Sequence, residues 1–353
     1  MKSDIYEMLK TTTECKASDL HITAGLPPMV RIDGSLKPLV NEEPYTPDET
    51  ESLIFSIMDD QQIKVLQDKG QVDYSYSLPG FGRFRVNAFR QRNSYSMACR
   101  VVGSKIPTLE ELNLPETLAE LTRLNKGLIL VTGPTGSGKS TTLASMIDII
   151  NQERKCHILT LEDPIEYLHK HKSSMVNQRE VGHDTNNYSE ALRAALREDP
   201  DVILVGEMRD LDSISIALTA AETGHLVLST LHTVGSAKTI DRVIDVFPPH
   251  QQQQIKVQLS TVLQAVISQQ LISKKNQSGR IVALEVMVAN PAIRNLIREG
   301  KTHQVNSIIQ MSGKLGMVTM DNYLFDLYSK GLISMDNALF YCLDQENMRK
   351  RFI

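Results

Sequence analysis

The chain has 353 residues, 41% hydrophobic and 23% charged, which suits one large or two ordinary globular domains and excludes a disordered tail, a fibre or a stapled mini-protein. No apolar run approaches the about 18 residues of a membrane-spanning helix, and the polar start Met1-Lys2-Ser3-Asp4 is unlike a secretory signal. A formal net charge of −4 argues against a dominant nucleic-acid surface, and four cysteines (Cys15, Cys99, Cys156, Cys342) without CxxC spacing point to reduced thiols in a cytoplasm and away from zinc.

Residues 1–102 read as a small α/β domain. Ile5, Met8 and Leu9 make an amphipathic stripe, Leu20-His21-Ile22-Thr23 is a short apolar stretch, and Asp33-Gly34 predicts a hairpin turn within 29–40. Leu53, Ile54, Ile57 and Met58 give helical spacing to 48–69. Beyond Gly70 the period drops to two, and 72–78, 83–90 and 95–102 predict an antiparallel meander.

Residues 103–126 read as a connection, with Gly103, Pro107 and Pro115 flanking a short helical piece at 109–112. From 127 to 353 the pattern changes. Continuous apolar runs at 128–131, 158–161, 202–205 and 226–228, separated by helical stretches, predict strands buried on both faces of a mostly parallel sheet. The last hundred residues read as mainly helical apart from 281–288, and Gln251–Gln254 lies in a helix-like context.

Gly133-Pro134-Thr135-Gly136-Ser137-Gly138-Lys139-Ser140 matches GxxxxGK[ST] between a predicted strand and a predicted helix at 141–150. Such glycines let backbone N–H groups converge on phosphate oxygens, and a helix N-terminus adds partial positive charge. Lys139 is then expected on the β- and γ-phosphates and the Ser140 hydroxyl on Mg²⁺, which makes this a nucleoside triphosphatase site binding ATP and Mg²⁺ through Gly133, Thr135–Ser140 and Thr141.

Acids at the C-terminal ends of other parallel strands point to the same crevice. The run 202–205 ends in Gly206-Glu207, so Glu207 is the candidate Walker-B acid, acting on Mg²⁺ through water or on the attacking water; Asp201 stands at the wrong end of that strand. The run 158–161 ends in Glu162-Asp163-Pro164, where Glu162 can orient or deprotonate water, though Asp-Pro reads equally well as a plain turn. His232 follows the run 226–228 at the same edge and can sense the γ-phosphate; His225 lies at the other end.

Four segments together, GPTGSGKST at 133–141, TLEDPIEY at 160–167, ALREDPDVILVGEMRD at 195–210 and ETGHLVLSTLHT at 222–233, resemble the Walker A, Asp, Walker B and His boxes of the secretion-type ATPases. These are the hexameric motors of type II secretion and type IV pili, and a glycine before the Walker-B glutamate is usual in them. SDLHIT at 18–23, GRFRVNAF at 82–89 and AIRNLIRE at 292–299 resemble the family's pilus-retraction branch. The resemblance implies a PAS-like N-terminal α/β domain, a RecA-like P-loop core with a helical C-terminal part, and a homohexameric ring. It implies catalytic roles for Glu207, Glu162 and Lys139, a nucleotide-sensing role for His232, and arginines delivered from the N-terminal domain. Arg85 and Arg100 match those best, with Arg83 close behind.

The implied activity is ATP hydrolysis coupled to pilus retraction and twitching motility. The implied partners are an inner-membrane platform protein and paralogous pilus ATPases, with no nucleic acid and no direct membrane insertion. AIRNLIRE alone reads as an amphipathic helix, N-capped by Asn290 with Pro291 at its first position; the resemblance makes it a coupling element. The chain has neither the large N-terminal extension nor the tetracysteine loop usual in assembly and export motors, which counts against those outputs. The less distinctive stretch 316–353 leaves an accessory retraction motor open.

Overall fold

Alternation of buried and exposed residues organises the first part of the chain, and continuous burial the second. The computed structural model describes residues 3–32, 34–39, 43–79, 81–102, 106–208, 210–275 and 279–352. They divide into two units, Met1–Lys105 with Glu166–Leu168, and Ile106–Ile165 with His169–Ile353.

The first unit runs α1 (Ile5–Glu14), β1 (Asp19–Thr23), β2 (Met29–Ile32), β3 (Ser35–Pro38), α2 (Pro47–Phe55), α3 (Asp60–Lys69), β4 (Gln71–Leu78), β5 (Gly82–Gln91) and β6 (Ser94–Val102). Its strands form one sheet in the order β3-β2-β1-β6-β5-β4, antiparallel throughout. Ile5, Met8 and Leu9 of α1 join Leu20, Ile22, Phe84, Val86 and Met97 in its core. The helical stretch expected over 48–69 is two helices. Asp59 accepts from the backbone of Gln62 while the Gln62 side chain accepts from Asp59 N, a capping box that starts a second helix where the spacing alone suggested continuity. In the expected hairpin Gly34 has φ +81°, and Asp33 lies outside the described residues, as does Gly103 of the connection.

The second unit comprises α4 (Thr117–Thr122), β7 (Gly127–Thr132), α5 (Lys139–Glu153), β8 (His157–Glu162), β9 (Met175–Glu180), α6 (Tyr188–Ala195), β10 (Val202–Val205), α7 (Leu211–Glu222), β11 (Leu226–Leu231), α8 (Ser236–Asp245), α9 (Pro249–Val262), β12 (Leu263–Ser273), β13 (Arg280–Val288), α10 (Pro291–Glu299), α11 (Val305–Met311), α12 (Met320–Ser329), α13 (Met335–Tyr341) and α14 (Gln345–Lys350). Its sheet has the order β13-β12-β7-β11-β10-β8-β9; only β13 runs antiparallel to its neighbour. Alternate residues of β7 enter opposite layers. Leu128 and Leu130 meet α7, α8 and α9, whereas Ile129 and Val131 meet Leu143, Met146 and Ile147 of α5.

Three local expectations change. The piece at 109–112 is a single turn, closed by reciprocal bonds between Thr108 and Glu111 and ended by Asn113 at φ +54°. Leu109, Leu114, Leu118 and Leu121 of this stretch are buried in the second unit's core. The chain beyond 254 is less helical than expected, because β12 is an eleven-residue strand pairing with both β7 and β13. It starts at the residue after α9 ends, with no glycine or proline to announce the change. Strand β9, whose burial does not alternate and whose sequence is polar, was also not expected.

Candidate functional site

β7 delivers the chain into the phosphate loop with positive φ at Gly133, Gly136 and Gly138. At Gly133 a Cβ would stand 2.2 Å from the Gln269 carbonyl oxygen, so only glycine passes there. Lys139, 9% exposed, donates from Nζ to the carbonyls of Gly133 at 2.9 Å and Pro134 at 3.1 Å, which holds its ammonium over the loop. Gly138 caps α5 without a side chain, leaving the backbone N–H groups of the first turn to serve an anion. The buried Ser137 hydroxyl has no hydrogen-bond partner among the described residues. Thr135 and Gly136 are exposed, and Ser140 and Thr141 are half-buried on the first turn of α5. A glycine cradle, an orphaned hydroxyl and a held ammonium suit a polyphosphate.

Gln269 of β12 is the functional residue that motif reading missed. It is 1% exposed, donates from Nε2 to the Ser137 carbonyl at 2.7 Å and accepts at Oε1 from the Thr142 hydroxyl at 3.0 Å. The loop is thereby clamped to a strand on one side and to α5 on the other. A signal existed: two adjacent amides, Gln269-Gln270, inside an apolar run must find partners if buried.

The remaining groups sit at the same edge. Leu130, Ser229, Val205 and Leu161 stand level across β7, β11, β10 and β8. The phosphate loop, His232, Glu207 and Glu162 follow within three residues of that row, spread over three strand spacings or about 14 Å. Glu207 Oε2 lies 3.1 Å from His232 Nε2. The glutamate side chain is 13% exposed and the imidazole 55%, so one partner is fixed and the other reaches solvent. Gly206 explains why no aspartate precedes this glutamate. A Cβ there would meet the Tyr188 hydroxyl at 2.8 Å and the Leu161 carbonyl at 3.2 Å.

Glu162 Oε1 accepts from the Thr160 hydroxyl at 2.7 Å and from Gln178 Nε2 at 3.0 Å. Gln178 Oε1 in turn accepts from the backbone of His169 at 2.8 Å, so β9 and the loop before it orient this carboxylate. Burial pushes the His169 imidazole down to about 4, helped by Lys172 and opposed by Asp148. Asp201, at the opposite end of β10, accepts from His157 N at 2.8 Å, a structural role.

Arg85 and Arg100 belong to the first unit, directly opposite each other on β5 and β6. Arg85 is exposed, while Arg100 Nε donates to Asp19 Oδ1 at 2.9 Å. In α10, Asn290 caps as expected and Ile293, Leu296 and Ile297 are buried. Arg294 does not simply line a free face: it donates to the Ser260 and Thr261 carbonyls and to Gln264 Oε1, tying down the C-terminal end of α9.

The Pseudomonas aeruginosa protein named Type IV pilus retractation ATPase PilT is 54% identical over 335 residues, 95% of this chain and 97% of that one. A solved structure of the pilus retraction motor PilT with bound ADP is 50% identical, with a TM-score of 0.93 over 99% of this chain and 100% of the other. The mixed α/β fold expected from the sequence is thus borne out. Type IV pilus ATPase PilU of Pseudomonas aeruginosa is 39% identical over 343 residues, 97% of this chain and 90% of its own length. Residues 2–323 match the family described as Type II/IV secretion system protein, and to that family this chain belongs.

Proposed function

We propose that the chain is the ATP-hydrolysing subunit of a homohexameric motor that retracts type IV pili and so drives twitching motility. One observation carries the reading: the phosphate loop, the Glu207–His232 pair and Glu162 share one sheet edge in a chain 54% identical to a pilus retraction ATPase. The runner-up, an accessory PilU-like motor, is less supported at 39% identity.

Gly133, Thr135–Ser140 and Thr141 bind the ATP phosphates, and Lys139 leaves its loop carbonyls for the β- and γ-oxygens. Mg²⁺ keeps several waters and takes few protein ligands, which suits a set of one hydroxyl, Ser140, and one carboxylate, Glu207; when bound it neutralises phosphate charge. Glu207 holds the attacking water, with its free geometry limited by His232. Glu162 is a second acid, positioned by Thr160 and Gln178. In the assembled ring Arg85 and Arg100 supply guanidinium groups to the γ-phosphate, where such groups contribute about 10³–10⁵ in rate.

No helix among the described residues is long and apolar enough to cross a membrane. Attachment is through an inner-membrane platform protein on the cytoplasmic side, with paralogous pilus ATPases as further partners, and AIRNLIRE couples the stroke to that assembly. The test is a count of surface pili in cells carrying Glu207→Ala. Excess pili with lost surface motility are expected; few or no pili would mean the motor builds filaments instead.

A further inference from the structure

We infer that Glu285 is a positioning residue for His232, an inference that rests on the hydrolytic reading above. β11 ends at Leu231, and His232 opens a short loop that closes at Gly235, where α8 begins. Two side chains that stand directly opposite each other on β12 and β13, Ser268 and Glu285, hold the far end of that loop. The Ser268 hydroxyl accepts from Gly235 N at 2.9 Å, and Glu285 Oε1 accepts from Ser236 N at 2.7 Å. Thr239 donates to the Gly235 carbonyl at 2.9 Å and lies 2.7 Å from the Thr233 hydroxyl, closing the loop from the α8 side. Every residue from 233 to 236 is therefore held directly or flanked by one that is, while the His232 ring itself meets Glu207.

Glu285 is an expensive way to do this. It is fully buried, and its second carboxylate oxygen has no hydrogen-bond partner among the described residues. A buried carboxylate is costly unless something offsets its charge. Here the offset is the N-terminus of α8, whose N-cap Gly235 has no side chain and whose first N–H groups carry partial positive charge. A charge-assisted bond at that point is stronger than a neutral one. Its consequence is a loop exit with one permitted position, which sets the line from Leu231 through His232 and so the 3.1 Å approach to Glu207. The chain thus reaches the sensor histidine from the antiparallel edge of the sheet, with three strands lying between β13 and the Walker-B strand β10.

The experiment compares Glu285→Ala, Glu285→Gln and Ser268→Ala in the full-length chain, alone and combined with His232→Ala. Turnover and the affinity for a non-hydrolysable ATP analogue are measured, with thermal melting to certify folding. Glu285→Ala is expected to lower kcat about 5- to 20-fold with analogue affinity within about twofold, and Glu285→Gln, which keeps an acceptor for Ser236 N, to restore most of it. In the His232→Ala background the further loss should shrink below about twofold, because both changes remove the same interaction. Ser268→Ala is the smaller perturbation, so should Glu285→Ala fail to fold, the same non-additivity is read from that variant. Additive losses, a parallel fall in analogue affinity, or a glutamine variant as poor as the alanine one would overturn the positioning role alone. A wild-type chain without turnover would overturn the hydrolytic reading, and the positioning role with it.

Discussion

The two sheets place their polar residues in different ways. In the first unit Arg31, Asp19, Arg100 and Arg85 form one row across β2, β1, β6 and β5, while their sequence neighbours Val30, Leu20, Cys99, Phe84 and Val86 face the core. A sheet buried on one side can carry chemistry along its whole face. In the second unit β7, β10 and β11 are buried at every position, and polar function begins only where each strand ends. A sheet covered on both sides confines chemistry to one edge, which gives it precision: Gly133, His232, Glu207 and Glu162 each stand at or just beyond the end of a strand.

The largest effect should come from that edge. Glu207→Ala removes the carboxylate that meets His232 and should lower ATP turnover on the order of 10³-fold, with analogue binding retained. Equal loss of binding would place Glu207 in nucleotide affinity and break the division of labour between the loop and the Walker-B acid. Next comes Gly133→Ala. Its methyl group would stand 2.2 Å from a backbone carbonyl that cannot turn away, at φ +143°. Denaturant unfolding should give a loss of about 3–5 kcal/mol, together with loss of nucleotide binding. An alanine tolerated within 1 kcal/mol, on the order of a surface change, would mean that Gln269 does not fix the loop.

How much of this was legible follows from the same contrast. Four of the parallel strands could be read because their runs are largely apolar, and the candidate site residues because each run leads within four residues to Gly133, Glu162, Glu207 or His232. β12 could not, since it continues directly from α9 and carries Ser268, Gln269 and Gln270 among its apolar residues. Gln269 serves the loop at Ser137 and Ser268 the loop at Gly235, across sequence separations that no local pattern encodes. Likewise Gln178 reaches Glu162 only because β9 pairs in parallel with β8, with Thr160 opposite Gln178. In the first unit, period two revealed the meander but not the row of arginines, because register between strands distant in sequence is set by folding.

A pH dependence of His169 sharpens the comparison further, because this residue belongs to the second unit. His169 is held neutral by burial, with its imidazole pushed down to about 4, while the unfolded chain protonates near the ordinary value. The unfolded state therefore binds more protons in the interval between, and stability rises with pH across it. This contribution is complete above the unfolded value and is lost as pH falls toward the folded one. From this group alone the protein should be about 2 kcal/mol less stable at pH 5 than at pH 7. His169→Asn should flatten that slope in denaturant titrations at the two pH values. An unchanged slope would mean the imidazole is not buried in solution.

The smallest effect belongs to the arginine row. Burial alone would raise the Asp19 carboxyl, but the Ser18 hydroxyl and the Arg100 guanidinium outweigh it and hold Asp19 below the usual carboxylate range. Arg100 is 70% exposed, so water and salt screen most of its attraction, and Arg31 remains 3.8 Å from the same carboxylate when Arg100 is removed. Arg100→Gln should therefore cost less than about 1 kcal/mol at neutral pH. Because a lowered carboxyl stabilises only while ionised, the difference from wild type should vanish as the pH falls below about 4. The measurement is the melting temperature of both proteins at the two pH values in low and high salt. A large, salt-insensitive loss would make Arg100 part of the first unit's framework, and the row could then no longer be read as a face of arginines left available for chemistry.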